Sequence, residues 1–282
     1  MKGIMSIKRW LFTLIAMLLP LCSWAEEKGY AVFNTDTQTL TFKYGENVPE
    51  GLNVFDINDA QWRWNIDMSQ LKKVVFESSF ANARPKSTIQ WFYGATSLTE
   101  ITGLQYLNTS EVTSMQEMFF NCGSLTSLDL SSFDTGSVTN MGWMFNNCTS
   151  LKSLNLSSFN TRNVENMDWM FAWCTNVNRV FVGDGWNTGN VMSSEMMFNE
   201  CKNLIGGSGT EWSNSHVDKA YAHIDSDASP GYLCDIKDKS KIDALGNPVG
   251  YAIFDEATGT LTFKYGEFPA GDHVYRAGNL WD

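Results

Sequence analysis

The chain has 282 residues, with 20 Lys and Arg against 31 Asp and Glu, so its formal net charge is −11. Its apolar content of 43% is that of a globular protein, and its length allows one large domain or two small ones. The acidic balance repels phosphate backbones and therefore argues against nucleic acid as a partner.

Residues 1–25 have the features of a secretory signal peptide. A short basic region precedes an apolar run over 10–21, which is too short to span a bilayer, and Ser23 and Ala25 supply the small residues of a cleavage site. Cys22 raises the alternative of a lipid anchor, but it follows a Leu where that signal needs Gly, Ala or Ser. No later segment is long and apolar enough to cross a membrane. We therefore expect a secreted or cell-surface protein.

Residues 26–66 are predicted to form a β-hairpin that acts as an N-terminal cap. Leu40, Phe42 and Tyr44 alternate with polar residues, which indicates a half-buried strand. The turn-rich stretch 34–38 separates this strand from an earlier one. The hairpin would close the open end of the repeats that follow, as terminal repeats must.

Residues 67–205 repeat with a period of 26 or 27. One Phe recurs in each unit, followed three residues later by Cys or Ala and six residues later by Leu or Val. The Phe positions are Phe92, Phe119, Phe145, Phe171 and Phe198. A fixed period of this length with an L-x-x-L-x-L core is typical of a leucine-rich solenoid, in which equivalent apolar residues stack from unit to unit.

Each unit is predicted to hold one strand and one short helix, which makes the fold class α/β with a parallel strand ladder. In the clearest unit, 125–130 is the strand, Phe133 fills the corner, and Asp134 and Thr135 cap a helix over 138–147. Helical periodicity places five apolar residues on its inward face: Val138, Met141, Met144, Phe145 and Cys148.

The pattern MFxxCxxLxxLxLSSFxTxxVxxM, present almost intact twice, resembles the BspA-like family of bacterial surface leucine-rich repeat proteins. The resemblance covers about residues 67–235, and 206–235 looks like that family's closing segment, a C-terminal cap. It implies a right-handed solenoid in an exported cell-surface protein. Some members are adhesins that bind host matrix or plasma proteins. The resemblance carries over no catalytic residue.

The last part of the chain repeats the first. Residues 236–249 are predicted to be a linker, and 250–282 to be a partial second copy of the cap hairpin. Over 29–46 and 250–267, 13 of 18 positions are identical. We therefore expect a second hairpin, either docked or mobile.

The cysteines are predicted to be reduced and buried. Cys122, Cys148, Cys174 and Cys201 occupy one repeat position on the inward helical face. Packed helices stand about 8–10 Å apart, beyond the roughly 7 Å that a disulfide spans between Cα atoms.

The sequence offers no clear catalytic or metal motif, so we expect a non-enzymatic protein with no cofactor and no metal. No C-x-x-C pair is present. His216 and His223 lie near Asp218, Asp225 and Asp227, but their spacing matches no pair of ligands on a helix face, and a solvated loop is the better interpretation.

Two surfaces are candidates for binding. Helical phase points four large side chains outward, which indicates an interaction patch unless loops cover the rings: Trp143, Trp169, Trp173 and Met196. On the strand side, the outward positions form two polar ladders: Glu100, Ser127, Ser153 and Arg179, beside Thr102, Asp129, Asn155 and Phe181. These ladders fit either an ordinary solvated sheet or a hydrogen-bonding surface for a protein strand or glycan.

The function predicted from these features is non-catalytic binding or adhesion to a host or bacterial macromolecule. The alternative is a surface glycan-binding module that serves nutrient capture, in which the tryptophans stack on sugar rings. In both cases the partner is an extracellular protein or glycan.

Overall fold

The computed structural model describes residues 27–51, 53–59 and 65–238, together with the backbone of three strands within 249–276. The predicted signal peptide and most of the predicted linker lie outside the described residues. The described part is mostly strands and turns, and its helices are 3-10 helices of three to five residues: Met68–Gln70, Ser78–Asn82, Leu104–Tyr106 and Lys219–Tyr221.

The N-terminal hairpin is hydrogen-bonded to the first repeat. Strands β1 (Lys28–Asn34) and β2 (Thr39–Gly45) pair antiparallel, and β3 (Val54–Asp56) pairs with the other edge of β1. On its free side β2 runs parallel to β4 (Lys73–Phe76), with Phe42 opposite Phe76. Those two rings stack with centroids 4.5 Å apart. The alternation of apolar and polar residues in β2 is therefore used to seat the hairpin on the repeat core.

The strands of the repeats form two parallel ladders. The first adds β5 (Glu100–Thr102) to give the order β3-β1-β2-β4-β5. The second contains β6 (Ser153–Leu156), β7 (Arg179–Val182) and β8 (Leu233–Asp235) in that order. The strand predicted over 125–130 is wrong, since those residues form no strand and Leu128 is only half-buried. Leu125 and Leu130 are nevertheless buried in the shared core, so the ladder breaks while the core continues.

The helix predicted over 138–147 is also wrong. Three overlapping four-residue turns stand in its place. They are closed by the N–H of Met144 on the carbonyl of Met141 (3.2 Å), that of Asn146 on Trp143 (3.1 Å) and that of Cys148 on Phe145 (3.1 Å). The polar residues expected to cap the helix have other partners. The Asp134 carboxylate accepts from the N–H of Gly136 at 3.0 Å, which is a turn contact.

Hydrogen bonds to the next repeat explain the absence of a helix. Alternate N–H groups, those of Met141, Trp143, Phe145 and Asn147, donate to carbonyls 25 residues further on, at 2.8–2.9 Å. The intervening N–H groups close the local turns. An α-helix would satisfy all of these groups internally and leave the repeats joined by side chains alone. Stacking therefore overrides the local periodicity.

The turns place two residues of every complete unit in the left-handed region. The first column contains Gln90, Glu117, Trp143, Trp169 and Met196, and the second contains Gly94, Asn121, Asn147, Trp173 and Glu200. The non-glycine members have φ between 52° and 60°. Such a φ costs a bulky residue about 1–2 kcal/mol, so the hydrogen bonds between repeats must hold it in place.

This backbone predicts an unusual order of stability at Asn147. Asn147→Gly is expected to be more stable than Asn147→Ala by about 1 kcal/mol, because only Gly adopts positive φ without a steric cost. Urea unfolding measures the difference. At Asn163, which is exposed and does not have positive φ, the order is expected to be reversed. Greater stability of Asn147→Ala would instead favour a helix at this position.

The core consists of stacked columns of identical residues. All five residues predicted for the inward face, Val138, Met141, Met144, Phe145 and Cys148, are fully buried, which confirms their placement. The rings of Phe92, Phe119, Phe145, Phe171 and Phe198 form one column with successive centroids 5.4–5.9 Å apart. Phe133 and Phe159 form a second column at the corner, 6.4 Å apart and nearly parallel.

The four repeat cysteines are buried free thiols, as predicted. The spacing of packed helices, from which this was predicted, does not explain it. Hydrogen-bonded repeats lie closer together than packed helices do, so distance alone does not prevent a disulfide. Instead each thiol donates to a Phe carbonyl of an earlier unit, as Cys148 does to Phe119 at 3.1 Å. Burial raises the pKa of the Cys174 thiol to about 12 and that of Cys148 well above its ordinary value. These thiols therefore stay protonated and unreactive.

Buried threonines link each repeat to the next. The Thr135 hydroxyl donates to the carbonyl of Asn160 at 3.0 Å and accepts from the N–H of the same residue at 2.8 Å. Thr109 and Thr161 make the equivalent pair of bonds one repeat away on either side. Each buried hydroxyl therefore serves as donor and as acceptor for two backbone groups of the next unit.

Thr135→Val is expected to destabilise the chain by about 2–3 kcal/mol, because a backbone N–H and a backbone carbonyl lose their buried hydroxyl partner together. Thr139→Val provides the matched control. Its hydroxyl is exposed and makes one 3.3 Å bond, so the expected change is within about 0.5 kcal/mol. Equal losses of unfolding free energy for both variants in urea would refute the threonine link.

Residues 206–235 close the end of the repeats around a buried carboxylate. One oxygen of Asp225 accepts from the N–H groups of Ser208 (2.8 Å) and Thr210 (3.0 Å). The other accepts from the Thr210 hydroxyl (2.7 Å) and the N–H of Gly231 (3.0 Å). This segment takes over the role of a next repeat, since the N–H of Phe198 donates to the carbonyl of Val217 at 2.9 Å.

The described C-terminal strands repeat the N-terminal arrangement. Strands β9 (Val249–Asp255) and β10 (Thr260–Gly266) pair antiparallel, and β11 (Val274–Arg276) pairs with the other edge of β9. Ala252 lies opposite Phe263, as Ala31 lies opposite Phe42 in the first copy. The two similar segments thus adopt the same strand register.

Candidate functional site

The two left-handed columns lie along one side of the repeats and define a surface that we call the turn face. None of their ten residues is buried. The turn face also includes four half-buried or exposed residues that immediately precede a first-column residue in the sequence. Two aromatic residues that lie in sequence between a first-column and a second-column residue complete it. Its members are Ile89, Gln90, Tyr93, Gly94, Gln116, Glu117, Phe120, Asn121, Trp143, Asn147, Asp168, Trp169, Trp173, Glu195, Met196 and Glu200.

The structure brings the four predicted outward residues together on the turn face. Trp173 is 39% exposed and Met196 is 37% exposed, while Trp143 and Trp169 are half-buried. The rings of Trp169 and Trp173 stack with centroids 5.5 Å apart and an interplanar angle of 15°. Since their backbone is fixed by hydrogen bonds to the next repeat, these rings sit on a rigid support.

Two more aromatic residues of the turn face were missed by the sequence analysis. Tyr93 and Phe120 are half-buried and stack with centroids 4.6 Å apart, nearly parallel at 5°. They share one repeat position, but the equivalent residues Asn146 and Ala172 in the next units are buried and not aromatic. Alignment of the repeats was the available signal, and it was weak because the residue type changes along the column.

The polar side chains of the turn face hydrogen-bond to one another, both within a repeat and from one repeat to the next. The Glu117 carboxylate accepts from the side-chain amides of Gln90 and Gln116, each at 2.8 Å. The Asn147 amide donates to the Asn121 side chain at 2.7 Å. Aromatic rings and ordered carboxylates and amides therefore lie on one surface.

The predicted strand-side residues are spread over the two parallel strand ladders and the strand-free residues 125–130 between them. Glu100 is exposed and pairs with Lys73 at 2.7 Å. Ser127 and Asp129 are exposed in this strand-free stretch, where the Asp129 carboxylate accepts from the N–H of Ser131. Asn155 is exposed and makes the same turn contact with Ser157, while Ser153 is half-buried.

The last members of the strand-side ladders do not lie on an open surface. Phe181 was predicted to point outward, but it is fully buried, so this prediction is wrong. Its strand partner Cys234 is also buried, and the backbone at Gly207 passes close to that cysteine. Arg179 is half-buried and donates to the carbonyl of Ile205 at 2.7 Å. The closing segment, too irregular to place from sequence, covers this end.

The predicted histidine loop is arranged around stacking and hydrogen bonds. His216 is exposed and stacks on Tyr221 with centroids 4.2 Å apart, while His223 Nε2 lies 2.9 Å from the Ser229 hydroxyl. Within the described residues, no group of three or more His, Cys, Asp or Glu side chains is placed to hold a metal ion. The same residues include no helix long and apolar enough to cross a membrane.

Comparisons with known proteins gave one family match and one similar solved structure. Residues 86–212, which contain the whole turn face, match the model of a family described as Mycoplasma protein of unknown function, DUF285. Among solved structures, the chain is similar to a leucine-rich repeat protein of T. pallidum, TpLRR, with 18% sequence identity and a TM-score of 0.36. That match covers 62% of this chain and 76% of the other. Among curated proteins, no significant match was found.

Proposed function

We propose that this chain is a non-catalytic binding module of an exported bacterial surface protein, and that it holds a macromolecular partner on its turn face. In this proposal the repeats form a right-handed leucine-rich solenoid between the N-terminal hairpin and the closing segment. The observation that carries the proposal is the set of partly exposed rings on the turn face, above all the stacked pair of Trp169 and Trp173. Large aromatic side chains are the residues on which binding energy most often depends.

The backbone supports the same function. Trp143 and Trp169 occupy left-handed positions, where a bulky residue carries a steric cost, and such strain concentrates at functional sites. The hydrogen bonds that hold them also reduce the conformational entropy that binding would otherwise cost. A rigid aromatic surface on a repeat scaffold is therefore well suited to recognition.

The experiment compares binding of the full-length chain and its variants to plated extracellular-matrix proteins. Trp143→Ser combined with Trp169→Ser is expected to weaken binding by about tenfold or more, the equivalent of 1.4 kcal/mol. Ser127→Ala combined with Asp129→Asn alters the strand side and is expected to leave binding unchanged. If the tryptophan pair lowers thermal stability but leaves binding intact, the turn face is not the binding surface.

A glycan is the second candidate partner, and the hydrogen-bonded polar side chains of the turn face are the observation that favours it. Asn121, Asn147 and Glu117 place amide and carboxylate groups beside the rings, and sugars combine flat apolar faces with hydroxyl groups. A glycan array probed with the full-length chain separates the candidates, because a protein-binding module is expected to give no signal on it.

A further inference from the structure

The charges of the turn face all have one sign. Four of its residues are acidic, namely Glu117, Asp168, Glu195 and Glu200, and none of its members is Lys or Arg. Lys202, just outside the surface, pairs with Glu200 at 2.6 Å and offsets one of these charges. The turn face therefore combines five aromatic residues with a negative field.

The internal contacts of Glu117 and Asp168 leave the charge of these two acids available. Glu117 accepts from two neutral amides, and Asp168 accepts at 2.6 Å from the Ser193 hydroxyl and from the N–H of Glu195. Neutral donors orient a carboxylate without cancelling its charge, and each carboxylate has about four acceptor sites. Glu117 and Asp168 are thus held in place with capacity for a further donor.

We infer that the partner of the turn face is a protein surface that presents Arg or Lys side chains. This inference rests on the proposed function and specifies the chemistry of its partner. A guanidinium group stacks on the face of a tryptophan and donates in bidentate fashion to a carboxylate, so it satisfies both components of the turn face. A neutral glycan would use the rings but gain little from the four acids.

The test is calorimetric titration of the full-length chain with three synthetic peptides, (Gly-Arg)6, (Gly-Gln)6 and (Gly-Glu)6, and with cellohexaose. The Gly-Arg peptide is expected to bind at least about tenfold more tightly than the Gly-Gln peptide, and the Gly-Glu peptide not at all. Tighter binding of cellohexaose than of the Gly-Arg peptide would overturn the inference in favour of a glycan.

Two pairs of substitutions separate recognition by the turn face from general attraction to an acidic protein. Glu195→Gln with Glu200→Gln is expected to weaken binding of the Gly-Arg peptide by about fivefold. Glu50→Gln with Asp227→Asn removes the same charge from exposed positions elsewhere and is expected to have little effect. Equal effects of the two pairs would overturn the inference, because net charge alone would then explain binding.

The tryptophans provide the remaining comparison. Trp169→Ser with Trp173→Ser is expected to abolish most of the binding, whereas Trp173→Phe, which keeps a ring, is expected to retain part of it. Unaltered binding in the double variant would overturn the inference. If the Gly-Arg peptide fails to bind while matrix binding still depends on Trp143 and Trp169, the inference fails and the proposed function stands.

Discussion

Phe145→Ala is expected to lower the free energy of unfolding by about 3–5 kcal/mol, the range typical of a buried Phe truncated in a core. Phe145 is fully buried between Phe119 and Phe171, with ring centroids 5.8 and 5.9 Å away. Removing it opens a cavity in the middle of the column. Neighbouring backbones are fixed by hydrogen bonds between repeats and have little freedom to close that cavity.

Urea unfolding at neutral pH, monitored by circular dichroism, measures this loss. Phe120→Ala removes the same ring from a half-buried position on the turn face and is expected to cost about 1 kcal/mol. Similar losses for the two variants would mean that the Phe column is not the centre of the core.

Asp225→Ala is expected to cost about 3–5 kcal/mol, the second large effect, because it leaves four donors without their acceptor. Asp225→Asn is expected to be nearly as damaging. Whichever way the amide is turned, its NH2 group faces donors of Ser208, Thr210 or Gly231. Asp227→Asn, two residues away and exposed, is the matched control and is expected to change little.

The same carboxylate predicts how stability depends on pH. Burial acts to raise the pKa of Asp225, but hydrogen bonds from Thr210, Gly231 and Ser208 outweigh it and hold the pKa below its ordinary value. The stabilisation is therefore fully present above the unfolded pKa of about 3.9 and is lost as pH falls through the folded value. Between pH 5 and 3, the unfolding free energy of Asp227→Asn should fall more steeply than that of Asp225→Asn. Parallel curves would contradict this role.

The sequence predicts the core better than it predicts the backbone. The period of 26 or 27 identifies the inward residues, since stacking requires apolar residues at equivalent positions whatever the local conformation. The backbone between Met141 and Cys148 depends instead on hydrogen bonds to residues 166–172, which local periodicity does not report. Helical periodicity was therefore a poor guide to the backbone there.

Trp143 and Asn147 lie on the outer side, as helical phase predicted, although no helix forms there. Trp143 and Asn147 are four residues apart, which is nearly one helical turn and is also the spacing between the two left-handed positions of a unit. Both conformations put them on one side. No such coincidence helped with Phe181, because alternation along its strand predicts exposure while the closing segment, distant in sequence, buries it.

The most direct test of the central claim is hydroxyl-radical footprinting of the full-length chain, with and without an extracellular-matrix protein that it binds. Binding on the turn face predicts reduced oxidation of Trp143, Trp169, Trp173 and Met196. Met192, which is exposed outside that surface, serves as the internal reference and should be unchanged. Protection confined to the strand side, around Ser127 and Asn155, would contradict the account.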